Sequence, residues 1–366
     1  MGIAETYSRG RRLVVDQPVA LVVALLVVLL VIDMLSRLAA GSLAFSRVGS
    51  LMWNGLMRGL VIGLAGVGLS MTYSILNFAN FAHGDTITAG AFSGWAVTYV
   101  IAGLGVVDIG TLALVGTSGS QFGITATGTP LAVLAGAVFA GLFTIALVLV
   151  LDRIVYRPMR DAGGITLLIT SIGVALTLRY LLAFVFDTSI RGTTDAGSVP
   201  RVSIPFIDGV VRVSAHDAAL LVVGVALMFG IHLLLQRTKL GKSMRAMSDN
   251  EALALITGIP TERVIRATWI IGGGLTGVAG YMFVLWKGTM GFNDGWLLLL
   301  LIFAAVILGG IGSVYGAIAG GLTIGLARDL SLIWIPSDFA RATAFAVMIV
   351  ILLVKPTGLF SGRSTA

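Results

Sequence analysis

Two amides, an imidazole and a carboxylate stand close together at residues 77–85, between two apolar stretches of the sequence. Polar groups at membrane depth are tolerated where protein or a water-filled cavity surrounds them. One interpretation is a broken helix that lines a solute path, with a new helix after Asp85 whose N-terminal end faces a polar ligand. The other is that Asp85 only caps a helix over residues 86–96. The pathway interpretation assigns Asn77, Asn80, Phe81, His83, Gly84 and Asp85.

A second polar segment, residues 237–266, connects two later apolar stretches and is predicted to be helical. Ser248 or Asp249 is the predicted N-cap, and residues 258–260 are the predicted stop. A short helix here is either a solvated amphipathic loop or the knob that a separate ATPase grips in an ATP-driven importer. The knob interpretation assigns ATPase coupling to Arg245, Glu251, Ala252 and Gly258.

The tripeptide at residues 241–243, Gly-Lys-Ser, imitates the end of a phosphate-binding loop. That loop requires a glycine where Gln236 stands and a strand before it, so we predict no nucleotide site. ATP hydrolysis is therefore expected on partner subunits, with no cofactor bound by this chain. The absence of cysteine excludes thiol chemistry and disulfides, and only three histidines are present. We predict neither catalytic nor metal-binding residues.

A glycine-rich stretch at residues 308–321 joins two apolar segments. Gly312 and Gly316 have the spacing that lets membrane helices approach closely. Close helix packing is the favoured interpretation, with solute contact as the alternative. The residues assigned to packing are Gly309, Gly310, Gly312 and Gly316.

These segments belong to a strongly apolar chain of 366 residues, 57% of them hydrophobic and 11% charged. Soluble domains carry roughly 25% charged residues, so a water-soluble fold is excluded. The mean hydropathy is +1.01, and apolar runs recur from end to end. The net charge of +7 comes from basic residues scattered over short loops, which indicates membrane topology rather than nucleic-acid binding.

Ten apolar runs are candidate membrane spans, and eight to ten is the defensible range. The fold predicted is an all-α polytopic bundle with a broken or re-entrant segment near residues 77–85. We divide it into an N-terminal extension with an extra span (1–40), a transmembrane domain (41–355) and a tail (356–366). The ten runs are 17–36, 52–75, 86–106, 130–151, 164–186, 217–236, 267–287, 295–311, 315–328 and 339–354.

The distribution of lysine and arginine predicts the orientation. With the N-terminus inside, fourteen basic residues fall on the inner side and eight on the outer side. Both termini are therefore predicted to be cytoplasmic in a cell membrane. The outer loop at residues 187–214 contains two prolines amid alternating apolar residues and is predicted to form short extended pieces that meet a partner.

Three charges, Asp33, Arg58 and Arg179, lie within or near predicted spans. A charge in hydrocarbon is costly and suggests a function. Each lies close to a span end, so we interpret both arginines as reaching toward lipid headgroups.

Four ordered segments resemble the branched-chain amino acid permeases of the LivH type from ATP-binding cassette importers. Residues 80–85, Asn-Phe-Ala-His-Gly-Asp, resemble the signature of that family. Residues 156–160 with 170–173 are similar to its Tyr-Arg-Pro-Leu-Arg and Thr-Ile-Gly stretches. Residues 241–258 are similar to its coupling loop, and residues 308–321 to its Leu-Gly-Gly-Ile-Gly-Ser segment. The resemblance covers residues 50–355.

The resemblance implies a heteromeric importer. Its expected partners are a second homologous permease, two cytoplasmic ATPases, an extracytoplasmic solute-binding protein and membrane lipid. The chain departs from the pattern in its apolar N-terminal segment and in the long loop at residues 105–129. Urea and short-chain amide importers share the signature, so these solutes are alternatives to branched-chain amino acids.

A self-contained, ion-coupled secondary transporter is the alternative from another class. Such a carrier needs coupling carboxylates within the membrane, and Asp85 is the strong candidate in this sequence. It would not need the loop at residues 243–258. A membrane enzyme is a third alternative, but its acid-base or metal chemistry would have only His83 and Asp85 close together.

Overall fold

The computed structural model describes residues 18–113, 118–195, 197–356 and 358–359. Within these ranges the strands are short, and the predicted all-α class is confirmed. The α-helices are α1 (Pro18–Ala39), α2 (Phe45–Leu76), α3 (Ala82–Gly103), α4 (Ile109–Ala113), α5 (Pro130–Leu151), α6 (Gly164–Phe186), α7 (Ala215–Arg237), α8 (Lys239–Asp249), α9 (Glu251–Ile256), α10 (Thr261–Lys287), α11 (Asp294–Gly309), α12 (Val314–Leu330) and α13 (Ala340–Val354).

Each of the ten predicted spans corresponds to one helix: α1, α2, α3, α5, α6, α7, α10, α11, α12 and α13. Eight helical segments of the described chain are long and apolar enough to cross a membrane. The other two are α3, which begins with polar residues, and α11, which has 16 residues. The count of eight falls within the predicted range of eight to ten spans.

The tightest helix pair is α2 with α12, and glycines make it possible. Gly55, Gly59 and Gly63 form one stripe on α2, facing α12. A Cβ at Gly59 would lie 2.8 Å from Leu322 Cα, and one at Gly321 would lie 2.5 Å from Gly63 N. Membrane helices associate through such close backbone packing because lipid provides no hydrophobic drive between them.

A second packing unit consists of α3, α5 and α10. Its polar centre is Thr98, whose hydroxyl lies 2.7 Å from the Tyr281 hydroxyl. Thr98 also bonds the carbonyls of Gly94, at 3.0 Å, and Ala132, at 3.2 Å. One side chain from α3 therefore joins all three helices.

The first helix lies at the edge of the bundle. No part of its apolar segment Leu21–Ala39 is buried by the rest of the described chain. Asp33 connects this helix to the rest of the bundle, because it accepts a hydrogen bond from Trp334 Nε1 at 2.7 Å. Asp33 also forms an ion pair with Arg37 of the same helix. The division into an extension, a transmembrane domain and a tail remains a prediction. Residues 1–17 and most of the tail lie outside the described residues.

The bundle has two ends, which we name by their connections. The hairpin end carries β2 (Arg201–Phe206) and β3 (Gly209–Ser214), which pair antiparallel. A shorter pair, β1 (Arg191–Gly192) with β4 (Thr289–Met290), lies in the loops before the hairpin and after α10. These strands confirm the extended pieces predicted for the loop at residues 187–214. The coupling end carries α8 and α9, since α7 runs from the hairpin to α8.

Candidate functional site

The predicted break is present between α2 and α3. Asn77 adopts a left-handed conformation, with φ of 52°, and its N–H donates to Tyr73 O at 2.9 Å. Asparagine tolerates this conformation better than most residues. The chain then runs without regular structure until α3 begins at Ala82. The break therefore covers residues 77–81.

Asn80, rather than Asp85, closes the start of α3. Its Oδ1 accepts a hydrogen bond from the Ala82 N–H at 3.0 Å, and the Asn80 side chain is buried. The prediction that a helix begins after Asp85, with Asp85 as its cap, was wrong. Because Asn80 takes this role, the helix begins at Ala82 rather than at residue 86, and Asp85 falls within its first turn.

Two side chains from other elements hold the break in place. Ser171 on α6 accepts a hydrogen bond from the Phe81 N–H at 3.0 Å and donates to Leu168 O at 2.7 Å. The Tyr156 hydroxyl, buried and stacked on Trp269, donates to Asn80 Oδ1 at 3.3 Å. Irregular backbone inside a bundle needs such partners because lipid cannot supply them.

Asp85 is fully buried and paired with Arg179 on α6. Arg179 donates from Nε to Oδ1 at 3.0 Å and from Nη2 to Oδ2 at 2.9 Å. The guanidinium also lies over the Trp296 ring, 4.4 Å from its centre. Two parallel bonds and a cation–π contact compensate both charges. The interpretation of Arg179 as a headgroup-seeking side chain was wrong, because the Asp85 carboxylate binds it inside the bundle.

His83 and Gly84 face the neighbouring helices. His83 is buried and its Nε2 lies 2.9 Å from Ala65 O, so the ring hydrogen on Nε2 donates to that carbonyl. A Cβ at Gly84 would lie 2.9 Å from Gly295 O, the backbone of α11. The pathway role of both residues stays a prediction.

Phe81 is half-buried at the mouth of the break. Its ring centre lies 4.9 Å from that of Phe303 and 6.3 Å from that of Trp296. Trp296 thus touches both Phe81 and Arg179. The structure brings the break, the ion pair and α11 together in one place, and Asn77 alone of the six predicted pathway residues is exposed.

A second ion cluster occupies the hairpin end. Arg58 on α2 donates to Asp329 on α12 at 3.0 Å and lies over the Trp286 ring. Arg328 donates to the other oxygen of the same carboxylate. Asp329 is buried, with 2% exposure. The headgroup interpretation of Arg58 was therefore wrong as well, because its partner lies 271 positions later in the sequence.

The coupling segment forms two helices rather than one. The cap of α9 is Asn250, whose side chain accepts the Leu253 N–H at 2.9 Å, so the predicted caps at Ser248 and Asp249 were wrong. Gly258 has φ of 83° and follows the helix, as its predicted stop role requires. Glu251, Ala252 and Gly258 are exposed, whereas Arg245 donates to Leu235 O at 2.6 Å.

A network of ion pairs anchors α10 beside this segment. The sequence analysis did not predict it. Arg160 donates to both oxygens of Asp152, at 2.8 and 2.9 Å, and to Glu262 on α10 at 2.7 Å. Trp269 Nε1 also donates to Asp152, at 2.9 Å. Arg160 stands in the Tyr-Arg-Pro-Met-Arg stretch that carried part of the family resemblance, and that motif was the one signal for the network.

The four predicted packing glycines divide between two positions. Gly309 and Gly316 lie back to back, and a Cβ on either would collide with the backbone of the other. Gly310 and Gly312 lie in the turn between α11 and α12, with φ of 103° and 85°. Left-handed backbone of this kind favours glycine. Within the described residues, no group of three or more His, Asp or Glu side chains could hold a metal ion.

A bundle of apolar helices with a polar break inside it and an exposed helix at one end defines a multi-pass membrane permease. Residues 51–352 match the family described as "Branched-chain amino acid transport system / permease component", and the chain belongs to this family. The resemblance drawn from the four sequence segments is confirmed. Membership implies a transport component, with ATPase and binding-protein partners, rather than an enzyme.

Curated relatives agree over most of their length. The permease LivH of Salmonella typhimurium is 28% identical over 315 residues, which cover 84% of this chain and 94% of the relative. BraD of Pseudomonas aeruginosa is 28% identical over 313 residues, covering 84% and 93%. A probable LivH of Methanocaldococcus jannaschii is 28% identical over 311 residues, covering 81% and 87%. Their names describe branched-chain amino acid transport permeases.

Proposed function

We propose that this chain moves branched-chain or closely related amino acids as the permease of an ATP-binding cassette importer. A solute-binding protein would deliver the solute on the hairpin side. Two ATPases would use ATP at the coupling end, and a second homologous permease would complete the membrane core. No cofactor and no nucleic acid bind this chain in this proposal. The excess of basic residues at the coupling end supports cytoplasmic termini.

The observation that carries the proposal is the exposed apolar surface of α9. Leu253, Leu255 and Ile256 are 54%, 60% and 80% exposed. They lie outside the candidate spans, in the connection between α7 and α10. An exposed aliphatic cluster of this kind marks a protein contact. Its place beside Glu251 and Ala252 fits the surface that an ATPase would grip.

The anchoring of α8 supports transmission from that surface to the spans. Met244 and Met247 are buried, and Arg245 is bonded to the last turn of α7. A force on α9 therefore reaches α7 and α10 through packed side chains rather than through a loose loop. Alternating access would follow when ATP binding moves this segment and the spans reorient around the break at residues 77–81.

The ion-coupled alternative is disfavoured by the state of Asp85. A coupling carboxylate must exchange an ion during transport, whereas both oxygens of Asp85 accept bonds from Arg179. Each histidine likewise has a protein partner: His83 Nε2 donates to Ala65 O, His216 Nε2 accepts the Ala126 N–H, and His232 Nδ1 lies 2.6 Å from the Tyr315 hydroxyl. Urea and short-chain amides remain the alternative solutes of the importer proposal.

The test is solute uptake into vesicles that contain this chain with its partner subunits and binding protein. Wild type is compared with Glu251→Arg, which reverses a charge on α9. Asp338→Arg is the matched control, since Asp338 is equally exposed but lies between α12 and α13 at the hairpin end. Leucine uptake and ATP hydrolysis are measured in the same vesicles, after gel filtration has shown that the complex assembles.

We expect Glu251→Arg to reduce ATP-driven leucine uptake at least several-fold while hydrolysis persists, and Asp338→Arg to behave as wild type. Uptake without the ATPases, driven by an ion gradient, would overturn the importer class. Uptake of urea or an amide in place of leucine would overturn the solute but keep the mechanism.

A further inference from the structure

A cavity of about 590 Å³ lies at the hairpin end, among the ends of α2, α10, α11, α12 and α13. Cavities of a few hundred Å³ hold small ligands in many proteins. This one is separate from the break, because Trp296 of α11 faces Arg179 and Phe81 while its neighbours Leu297 and Leu298 line the cavity. One side of α11 therefore contacts the break and the Asp85–Arg179 ion pair, and the other side lines the cavity.

The charges in the cavity wall do not balance. Four cations face two carboxylates, so two positive charges lack compensation among the lining residues. These charged side chains are Arg58, Lys287, Arg328 and Arg341 against Asp294 and Asp329.

Ion pairs within the wall neutralise only part of this positive charge. Lys287 binds Asp294 at 2.7 Å, and Asp329 is shared between Arg58 and Arg328. The Nε atom of Arg328 is buried without a hydrogen-bond partner among the described residues. Arg341 is exposed and forms no ion pair within the described part of the chain. A buried unpaired donor is costly, and an anion placed here would satisfy it.

The rest of the wall is mainly apolar, with Phe283, Trp286 and five leucines beside one amide, Asn54. Leu51, Leu297, Leu298, Leu301 and Leu332 line it. A ligand that fits must carry an anionic group at one end and a branched apolar group at the other. Urea and short amides have neither feature, since they are neutral and polar.

We propose that this cavity binds an aliphatic α-amino acid on its way from the binding protein to the break. The carboxylate would lie against Arg341 and Arg328, the ammonium beside Asp294, and the side chain on the leucines. Asp294 has acceptor capacity left after its bonds to Lys287 and the Gly291 N–H, because a carboxylate offers about four lone-pair sites. This assignment rests on the proposed function and adds to it a solute site in the permease itself.

The test is equilibrium binding to the purified intact transporter without nucleotide and without its binding protein. The probes are radiolabelled leucine, leucinol, which lacks the carboxylate, and urea. The variants are Arg341→Gln and Arg341→Lys, with Arg47→Gln as the control. Arg47 is an exposed arginine at the start of α2 that does not line the cavity. Vesicle uptake of leucine is measured for every variant.

We expect leucine to bind and leucinol and urea not to bind. Arg341→Gln should weaken leucine binding about tenfold, the effect of losing one charge-assisted contact of roughly 1.4 kcal/mol. Arg341→Lys should retain most of the affinity, and Arg47→Gln all of it. Neither Arg341 variant should unfold the protein, since no ion pair of the described chain is broken.

The failures are distinguishable. If wild type takes up leucine but Arg341→Gln binds and transports it unchanged, the cavity assignment is wrong and the proposed function stands. If no amino acid is taken up at all, both are wrong. If the arginine change instead removes a bound anionic lipid, with leucine binding intact, the cavity belongs to a lipid headgroup and the assignment is also overturned.

Discussion

Asp85 on α3 and Arg179 on α6 form a two-point ion pair in the interior of the bundle, with the Asp85 side chain fully buried and that of Arg179 11% exposed. The pair fastens the first turn of α3, directly after the break, to a helix that also supports the break through Ser171. The broken segment is thus held by the hydrogen bond from Phe81 to Ser171 and, at the start of α3, by the Asp85–Arg179 ion pair.

Removal of one member of this pair should destabilise the protein strongly. Arg179→Gln would leave the Asp85 carboxylate buried without compensation, and such changes cost about 3–5 kcal/mol. We expect a lower melting temperature in detergent and loss of leucine uptake. The double variant Asp85→Asn with Arg179→Gln removes both charges and should recover most of the stability. Equal instability of the single and double variants would show that the charge itself is not the cause.

The α2–α12 contact should be intolerant of side chains. Gly325→Val would drive a side chain into the α2 backbone near Gly55 and Gly59. Overpacking of this kind costs about 1–3 kcal/mol, so we expect reduced thermal stability. Gly230→Val is the control, since Gly230 on α7 has open space around it. Similar losses for both variants would point to helix propensity rather than to close packing.

The attachment of the hairpin to α2 should weaken in acid. Asp208, in the turn between β2 and β3, accepts the Ser46 N–H at 2.8 Å and also the Phe45 N–H. These backbone bonds, with that of Ser46 first, lower the pKa of Asp208 below its ordinary value. A depressed carboxyl pKa gives stabilisation that is present above the ordinary value, near pH 4, and is lost as the pH falls through the lowered one.

Hydrogen exchange of a peptide covering the start of α2 measures this effect, after correction for the intrinsic pH dependence of exchange. We expect protection at neutral pH and loss of protection in acid. Asp208→Asn should lower protection at neutral pH to about the level that wild type shows in acid, and should abolish the pH dependence attributable to this carboxylate. Protection that is unchanged in the variant would mean that Asp208 does not hold the hairpin.

Local sequence patterns predicted the helices well. The run at residues 130–151 and that at 164–186 match α5 and α6 at both ends, because an apolar stretch bounded by proline, glycine or charge has few other choices. The break was visible for the same reason, as a polar interruption of two apolar runs. Helix boundaries near it were less accurate, since Asn80 and Asp85 are both capable caps and the choice depended on Tyr156 and Ser171.

The ion-pair partners of residues far apart in the chain could not be predicted from the sequence. Arg58 and Arg179 looked like headgroup-seeking residues because their position near span ends is local information, while Asp329 and Asp85 lie 271 and 94 positions away. The cavity was missed in the same way, because its wall combines residues from five helices. Only the fold brings such charges together.

The contact between Gly84 and Gly295 sets how motion can pass through the protein. Here the starts of α3 and α11 meet backbone to backbone, and the Gly295 N–H is fixed to Thr88 Oγ1 at 3.1 Å. No side chain lies between them to absorb a shift by changing rotamer. The two helix starts must therefore move together as one rigid unit. A tilt of α11 at the cavity would move the first turn of α3, and with it the break at residues 77–81.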